Sequence, residues 1–179
     1  MGTKRVGLAR TQVLIENLKR ELTMNLSTIY NSKRKIIDSA ATRELLASES
    51  GATVLWDNST PHTVTLPAAE AGLNFKIVVK VGSNTNHKIA AAAGDCFFGQ
   101  VTVLDNADDK QAQQTVTYAT AIGTVGSYDH LLLKANANNT GSGAGAVIEL
   151  ECIDSIAWRV TARLVTTATP TSIATIYGG

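Results

Sequence analysis

The chain has 179 residues, a formal net charge of +1 and 17% charged residues, against about 25% in an average soluble domain. This near-neutral balance gives no support for a protein that binds nucleic acid through its overall charge. The length suits one main domain with an appended segment. The sequence contains no apolar run of about 18 residues, as a bilayer span needs, and no apolar segment follows its first five residues, as in a secretory leader. We therefore expect a protein that is made and used in a cytoplasm, or released from one by lysis, and no membrane partner.

Residues 7–23 have the apolar spacing of an amphipathic helix. Apolar side chains recur at intervals of three and four, with Thr11 in register and polar residues on the other face. The stripe is as narrow as a coiled-coil seam, and fewer than three heptads are present. Because an isolated helix of this length is only marginally stable in water, it needs a partner. The candidate residues for anchoring that partner are Leu8, Arg10, Ile15, Leu18, Lys19 and Leu22.

Residues 24–47 complete an N-terminal helical arm, predicted to span residues 1–47, and a short helix is predicted over residues 38–47. Nine Lys or Arg and four acids give the arm a charge of +5, while seven and eleven give −4 to residues 48–179. Such an asymmetry is typical of an arm that lies on an acidic surface or on phosphates, and it also fits the solvated side of a helix. Tyr30 is the only aromatic residue of the arm, so specific nucleic-acid recognition by base stacking is not expected.

A change to a period of two marks a second domain, predicted over residues 48–165. Its first two strand-like runs, 53–56 and 62–66, are separated by a loop rich in turn-forming residues. Connectors rich in Gly, Asn and Asp separate further runs at 75–81, 88–92, 97–104, 115–119, 131–135, 146–153 and 157–164. This spacing predicts a mainly β protein, with a compact antiparallel β-sandwich or barrel of the jelly-roll kind. Residues 166–179 are predicted to form a C-terminal tail.

The residue types that carry catalysis or bind metals occur in patterns that favour structural roles. Cys96 and Cys152 lack CxxC spacing and are predicted to be buried free thiols. The histidines are far apart in the sequence, which predicts loop or surface positions rather than a metal site: His62, His87 and His130. We therefore expect no metal bound by histidine or cysteine.

Two loops resemble ligand-binding motifs only in part. The acidic loop with Asp105, Asp108 and Asp109 lacks the ligand order of an EF-hand, so a solvated hairpin is favoured over a cation site. The Gly-rich segment 141–145 lacks the Lys-Ser/Thr of a phosphate loop. We expect no catalytic residue, no cofactor and no metal.

Two segments carry a resemblance to bacteriophage virion structural proteins. The opening Lys4-Arg5-Val6-Gly7-Leu8-Ala9-Arg10-Thr11-Gln12, continued by residues 15–22, resembles the start of virion proteins of marine phages, including those of cyanobacteria. Residues 64–79, beginning Val64-Thr65-Leu66-Pro67-Ala68-Ala69, are similar to a sequence motif of phage capsid-decoration, head-fibre and tail-spike domains. In those domains a strand ends at the Pro and the next strand carries alternating apolar residues. The resemblance implies a homotrimer and supplies no catalytic residues.

The resemblance and the layout of arm and β-domain together predict a capsid decoration (cement) protein on the exterior of the virion. The arm is expected to anchor on the major capsid protein. An alternative is a tail or head-fibre module that binds a receptor or a host-surface glycan, using exposed aromatic residues such as Trp56, Trp158, Tyr118 or Tyr128. An enzyme is not expected, because the only close carboxylates at strand spacing, Glu149 and Glu151, fit an exposed strand face.

Overall fold

The structure is a computed structural model that describes residues 11–17, 34–39, 41–82, 86–105, 111–116, 128–133, 142–166 and 177–178. The chain divides into two units, residues 1–34 and residues 35–179. In the first unit, residues 11–17 are helical and exposed, which confirms part of the helix predicted over residues 7–23. In the described part of the chain, no helix combines the length and the apolar character that crossing a membrane requires.

The second unit is built from strands, so the prediction of a mainly β protein is confirmed. A 3-10 turn, Ala47–Glu49, lies between the second and third of them. The strands of the described residues are β1 (Ile36–Asp38), β2 (Arg43–Glu44), β3 (Thr53–Trp56), β4 (Thr63–Thr65), β5 (Asn74–Val79), β6 (His87–Ala90), β7 (Cys96–Asp105), β8 (Gln111–Val116), β9 (His130–Leu133), β10 (Val147–Cys152), β11 (Ala157–Thr166) and β12 (Tyr177–Gly178).

The strands form two sheets, and both sheets are mixed rather than antiparallel. The larger sheet has the order β1-β3-β5-β10-β11-β7-β8, and the smaller has the order β12-β9-β6-β4-β2. The first seven strands alternate between the sheets, so β1, β3 and β5 become parallel neighbours in one sheet and β2, β4 and β6 in the other. The prediction of an antiparallel fold is therefore wrong, because each of the strands β1 to β6 is followed by one in the opposite sheet, whereas β7–β8 and β10–β11 are antiparallel hairpin pairs.

Residues 36–49 belong to this β-unit. β1 pairs with β3 in the larger sheet and β2 pairs with β4 in the smaller one, although the sequence pattern assigned both segments to the arm. The prediction of a short helix over residues 38–47 is wrong, because Asp38 ends β1 and Arg43–Glu44 form β2. Within this range Leu45 is buried in the β-core, whereas Leu46 is exposed.

Both sheets contribute to one hydrophobic core. The larger sheet supplies Trp56, Ile77 and Trp158, and the smaller sheet supplies Ile89 and Leu133, among others. Along each strand these buried residues alternate with half-buried or exposed ones, as in β10 and β11. The larger sheet therefore has one face in the core and one outer face.

Candidate functional site: the outer face of the larger sheet

The outer face carries an unbroken row of side chains across five neighbouring strands. Residues paired between β1, β3, β5, β10 and β11 place them directly beside one another, in the order Asp38, Leu55, Val78, Val147 and Arg163. The two charged ends of the row are exposed, and the three apolar residues between them are half-buried. We call this set the cross-strand row. It places an apolar strip between an acid and a guanidinium group.

The charges next to the cross-strand row are already paired with one another. Lys76 Nζ lies 3.3 Å from Glu149 Oε1, and Arg159 Nη2 lies 2.9 Å from Glu151 Oε2. These exposed pairs contribute little to stability, typically about 0–1 kcal/mol each. Among the described residues, Asp38 and Arg163 have no such ion pair. They are therefore the two charges of this face that an incoming partner finds unpaired.

A groove of about 480 Å³ lies on this face, over β5, β10, β11 and β7. Its lining includes Lys76, Val147, Glu149, Thr161, Arg163 and Val165. The two carboxylates considered for catalysis, Glu149 and Glu151, are more than half exposed, and each is held by a cation of a neighbouring strand. The groove therefore offers a ligand the hydroxyl group of Thr161 and the paired charges of Lys76 and Glu149.

A second surface lies where Tyr128 joins the two sheets. The carbonyl of Tyr128 accepts a hydrogen bond from the N–H of Phe97, and that of Asp129 accepts one from the N–H of Ala91. Tyr128 has φ 63°, a left-handed conformation that is rare and strained for a bulky residue, and it is 40% exposed. Beside it, Asp129 Oδ1 lies 2.5 Å from His130 Nδ1. A strained, exposed aromatic next to a polar pair is a candidate ligand contact.

Two of the three histidines, His62 and His87, are buried together. His62 lies in the loop before β4, as predicted, but His87 lies in β6, so the prediction of a loop or surface position is wrong for His87. The His87 ring stacks on Trp56 at 4.5 Å between ring centroids, and its Nδ1 accepts a hydrogen bond from the N–H of His62 at 3.3 Å. Burial, followed by the nearby His62, lowers the pKa of His87 to about 4. Nδ1 can accept this hydrogen bond only when His87 is neutral, and the lowered pKa favours the neutral ring. The stack of His87 on Trp56 packs a strand of each sheet together.

Metal-binding geometry is not found around these residues. Within the described residues, no group of three or more His, Cys, Asp or Glu side chains is placed to hold a metal ion. His62 Nε2 instead lies 2.5 Å from Asn58 Oδ1.

Both cysteines are buried free thiols, which confirms the prediction. Burial raises the pKa of Cys96 and of Cys152, so both thiols stay protonated. Each donates a hydrogen bond to a backbone carbonyl, Cys96 to Ile156 at 3.5 Å and Cys152 to Asp154 at 3.1 Å. A protonated, hydrogen-bonded thiol is a poor nucleophile.

The predicted anchoring residues fall only partly within the described structure. Ile15 lies on the described helix and is 55% exposed, together with Val13 and Leu14 at 56% and 61%. The others lie outside the described residues: Leu8, Arg10, Leu18, Lys19 and Leu22. Asp108, Asp109 and Tyr118 also lie outside them, whereas Trp56 and Trp158 are completely buried and are not accessible to a sugar.

The cross-strand row was not predicted from the sequence. Alternation shows which residues share a face of one strand, but only the strand order shows which of them become neighbours. No family model, no curated protein and no solved structure matches the chain.

Proposed function

We propose that this chain is a structural virion protein, a capsid decoration (cement) protein that binds the outer capsid surface as a homotrimer and stabilises the shell. Its anchoring partner is the major capsid protein, and its location is the virion exterior. The observation that carries this proposal is the separation of a first unit, with an exposed apolar helix, from a β-unit that has its own core. The proposal includes no catalytic activity, cofactor, nucleic acid or membrane.

The helix of residues 11–17 supports an anchoring role. Three consecutive apolar residues, Val13, Leu14 and Ile15, are each more than half exposed. Full burial of one apolar side chain of this size against a partner stabilises the complex by about 1.5–3 kcal/mol. A short helix gains most of its stability from such packing, so it is ordered by the surface that it binds.

The β-unit suits an exposed knob on a shell. We propose that its two sheets pack face to face as a sandwich, supported by their shared core and by the stack of Trp56 in the larger sheet on His87 in the smaller. The outer strands, β1 and β8 in one sheet and β2 and β12 in the other, leave edges that need protection. Threefold association around the arm is one way to cover such edges.

A variant with Leu14→Asp and Ile15→Asp tests the anchoring role. Loss of two apolar contacts of this size is expected to weaken binding to shells of the major capsid protein by about 100-fold or more. Binding is measured by co-sedimentation of the purified chain with shells that lack decoration. The matched control is Gln12→Glu, a polar change on the same helix, which is expected to bind within about threefold of the unmodified chain. Unchanged shell binding by the double variant would sink the anchoring proposal.

A second candidate function is a receptor- or carbohydrate-binding module, and Tyr128 favours it. Aromatic rings bind sugars when they are exposed beside hydrogen-bonding groups, and Tyr128 is exposed beside Asp129 and His130. Strain at a bulky residue costs about 1–3 kcal/mol and is concentrated at ligand contacts.

A Tyr128→Asn variant tests the glycan proposal. Asparagine adopts the left-handed conformation easily, so the backbone is kept while the ring is lost. If the surface binds a host glycan, this variant is expected to lose about tenfold or more in affinity on a glycan array, whereas Tyr128→Phe keeps the ring and stays within about threefold. Equal binding by both variants, or no binding by the unmodified chain, would remove this candidate.

A further inference from the structure

We propose that the outer face of the larger sheet is a self-association surface, on which a second copy of this chain docks about a twofold axis through Val78. The cross-strand row has the required symmetry in its residue types. Val78 lies on β5, the middle one of the five strands β1, β3, β5, β10 and β11, with an apolar residue on each side and opposite charges two strands away. Beyond Arg163 the sheet continues with the polar Thr102 of β7.

A twofold rotation about Val78 brings complementary groups together. The row of the second copy then runs in the reverse direction, so Asp38 faces the partner's Arg163 and Leu55 faces the partner's Val147. Val78 meets its own symmetry mate. Because neighbouring strands are about 4.8 Å apart, the two charged residues lie at the same distance of about 10 Å on either side of the axis. Each interface therefore contains two identical Asp38–Arg163 contacts, as an isologous interface requires.

The unpaired charges at the two ends of the cross-strand row indicate which partner binds this face. Lys76 and Arg159 already pair with Glu149 and Glu151, so they offer little to a partner. Asp38 and Arg163 are exposed, and each needs a group of opposite charge at the same distance from Val78. A second copy of this chain supplies an arginine opposite Asp38 and an aspartate opposite Arg163 at that spacing.

The size of the face predicts weak association. Five strands of about six residues cover roughly 500 Å² per copy, or about 1,000 Å² in total, which is at the low end for specific interfaces. We therefore expect a concentration-dependent equilibrium with a dissociation constant of about 10–100 µM. Dimerisation through this face is independent of the proposed association through the arm. It therefore doubles the number of chains in the oligomer that the arm forms.

Charge reversal of the full-length chain tests the twofold contact. Asp38→Arg places two cations opposite each other at both ends, and Arg163→Asp places two anions there. Either variant is expected to halve the solution mass measured by sedimentation at a concentration of about 300 µM, above the expected dissociation constant. Val78→Asp, which sets two carboxylates against each other on the axis, is expected to do the same. Glu70→Arg, a reversal at an exposed residue outside the row, is expected to leave the mass unchanged.

Mixing the variants separates a twofold contact from a general effect of the reversed charges on folding or solubility. An equimolar mixture of the Asp38→Arg and Arg163→Asp chains restores both contacts and is expected to restore the doubled mass, as is the chain that carries both changes. A mixture that stays at the halved mass overturns the proposal, and so does an unmodified chain whose mass is independent of concentration. A threefold fall in mass also overturns it, because that result assigns this face to a trimer. These outcomes do not depend on shell binding, which tests the proposed function.

Discussion

Replacement of Gly99 by alanine is expected to unfold the β-unit, or to destabilise it by more than about 4 kcal/mol. Gly99 has φ 129°, and a Cβ atom there would lie 2.1 Å from the carbonyl oxygen and 2.8 Å from the amide nitrogen of Val160. Both atoms belong to the backbone of β11, which cannot move aside. Its ladder with β7 pairs residues from Cys96 with Ala157 to Asp105 with Thr166. Since a domain is stable by only about 5–15 kcal/mol, this one methyl group removes much of its stability.

A Gly94→Ala variant is the matched control for Gly99→Ala. Gly94 also has a positive φ, 92°, but no atom lies within 4 Å of the position of its Cβ. This variant therefore carries backbone strain without a clash and is expected to lose only about 1 kcal/mol. Urea unfolding followed by tryptophan fluorescence measures both, because Trp56 and Trp158 are buried in the core. Equal losses for the two variants would show that the close approach of β7 to β11 does not carry the effect.

Local alternation was sufficient to predict most strands of the β-unit. The predicted runs 53–56 and 62–66 correspond to β3 and β4, and 75–81 corresponds to β5. Their apolar residues lie in the core because a period of two places them on one face. Strand direction carries no such signal. A parallel and an antiparallel strand bury the same alternate residues, so the mixed sheets could not be read from the pattern.

The error at residues 38–47 has a different physical origin. The spacing of the apolar residues there fits a short helix as well as two strands. The β-structure prevails because Leu45, and Ile37 just before this range, are buried among the core residues of the two sheets. Burial in the folded core outweighs the local preference for helix, and this burial cannot be predicted from a single sequence.

The candidate site was predictable only in its residue types. Glu149 and Glu151 were expected on an exposed strand face, and both are exposed there. The cross-strand row could not be predicted, because Asp38 and Arg163 are distant in sequence and are related only by the order β1-β3-β5-β10-β11. The burial of His62 and His87 was missed for the same reason. Each lies next to a loop in sequence, but they meet across two strands of the smaller sheet.

Replacement of Glu49 by glutamine is expected to destabilise the chain by about 2 kcal/mol at neutral pH. Glu49 is 6% exposed, and its carboxylate accepts hydrogen bonds from Lys35 at 2.9 Å, Arg43 at 2.5 Å and the N–H of Leu46 at 3.1 Å. Lys35 precedes β1 at the edge of the larger sheet, and Arg43 begins β2 at the edge of the smaller one. Through its ion pairs with Lys35 and Arg43, Glu49 therefore links both edge strands to the 3-10 turn. Glutamine keeps the bond from Leu46 but leaves two cations without their anion.

The effect of Glu49→Gln is expected to depend on pH. Burial on its own would raise the pKa of Glu49, but the hydrogen bonds from Lys35, Leu46 and Arg43 prevail and lower the pKa from 4.5 to about 2. The folded state thus binds fewer protons than the unfolded state, and the stabilisation is complete above pH 4.5 and lost as the pH falls towards 2. The lowered pKa corresponds to about 3 kcal/mol, reduced to about 2 because Lys35 and Arg43 are 61% and 37% exposed.

Unfolding midpoints of the unmodified and Glu49→Gln chains, measured between neutral pH and pH 3, test this dependence. The difference between them is expected to shrink below pH 4.5. His87, whose pKa is lowered from 6.5 to about 4, makes both chains less stable as the pH falls through that range, so only their difference reports on Glu49. Glu44→Gln, at an exposed acid of β2, is the control and is expected to change stability by less than about 0.5 kcal/mol. A difference that stays constant with pH would mean that the Glu49 carboxylate acts by packing alone, because only a charge held by Lys35 and Arg43 loses its contribution on protonation.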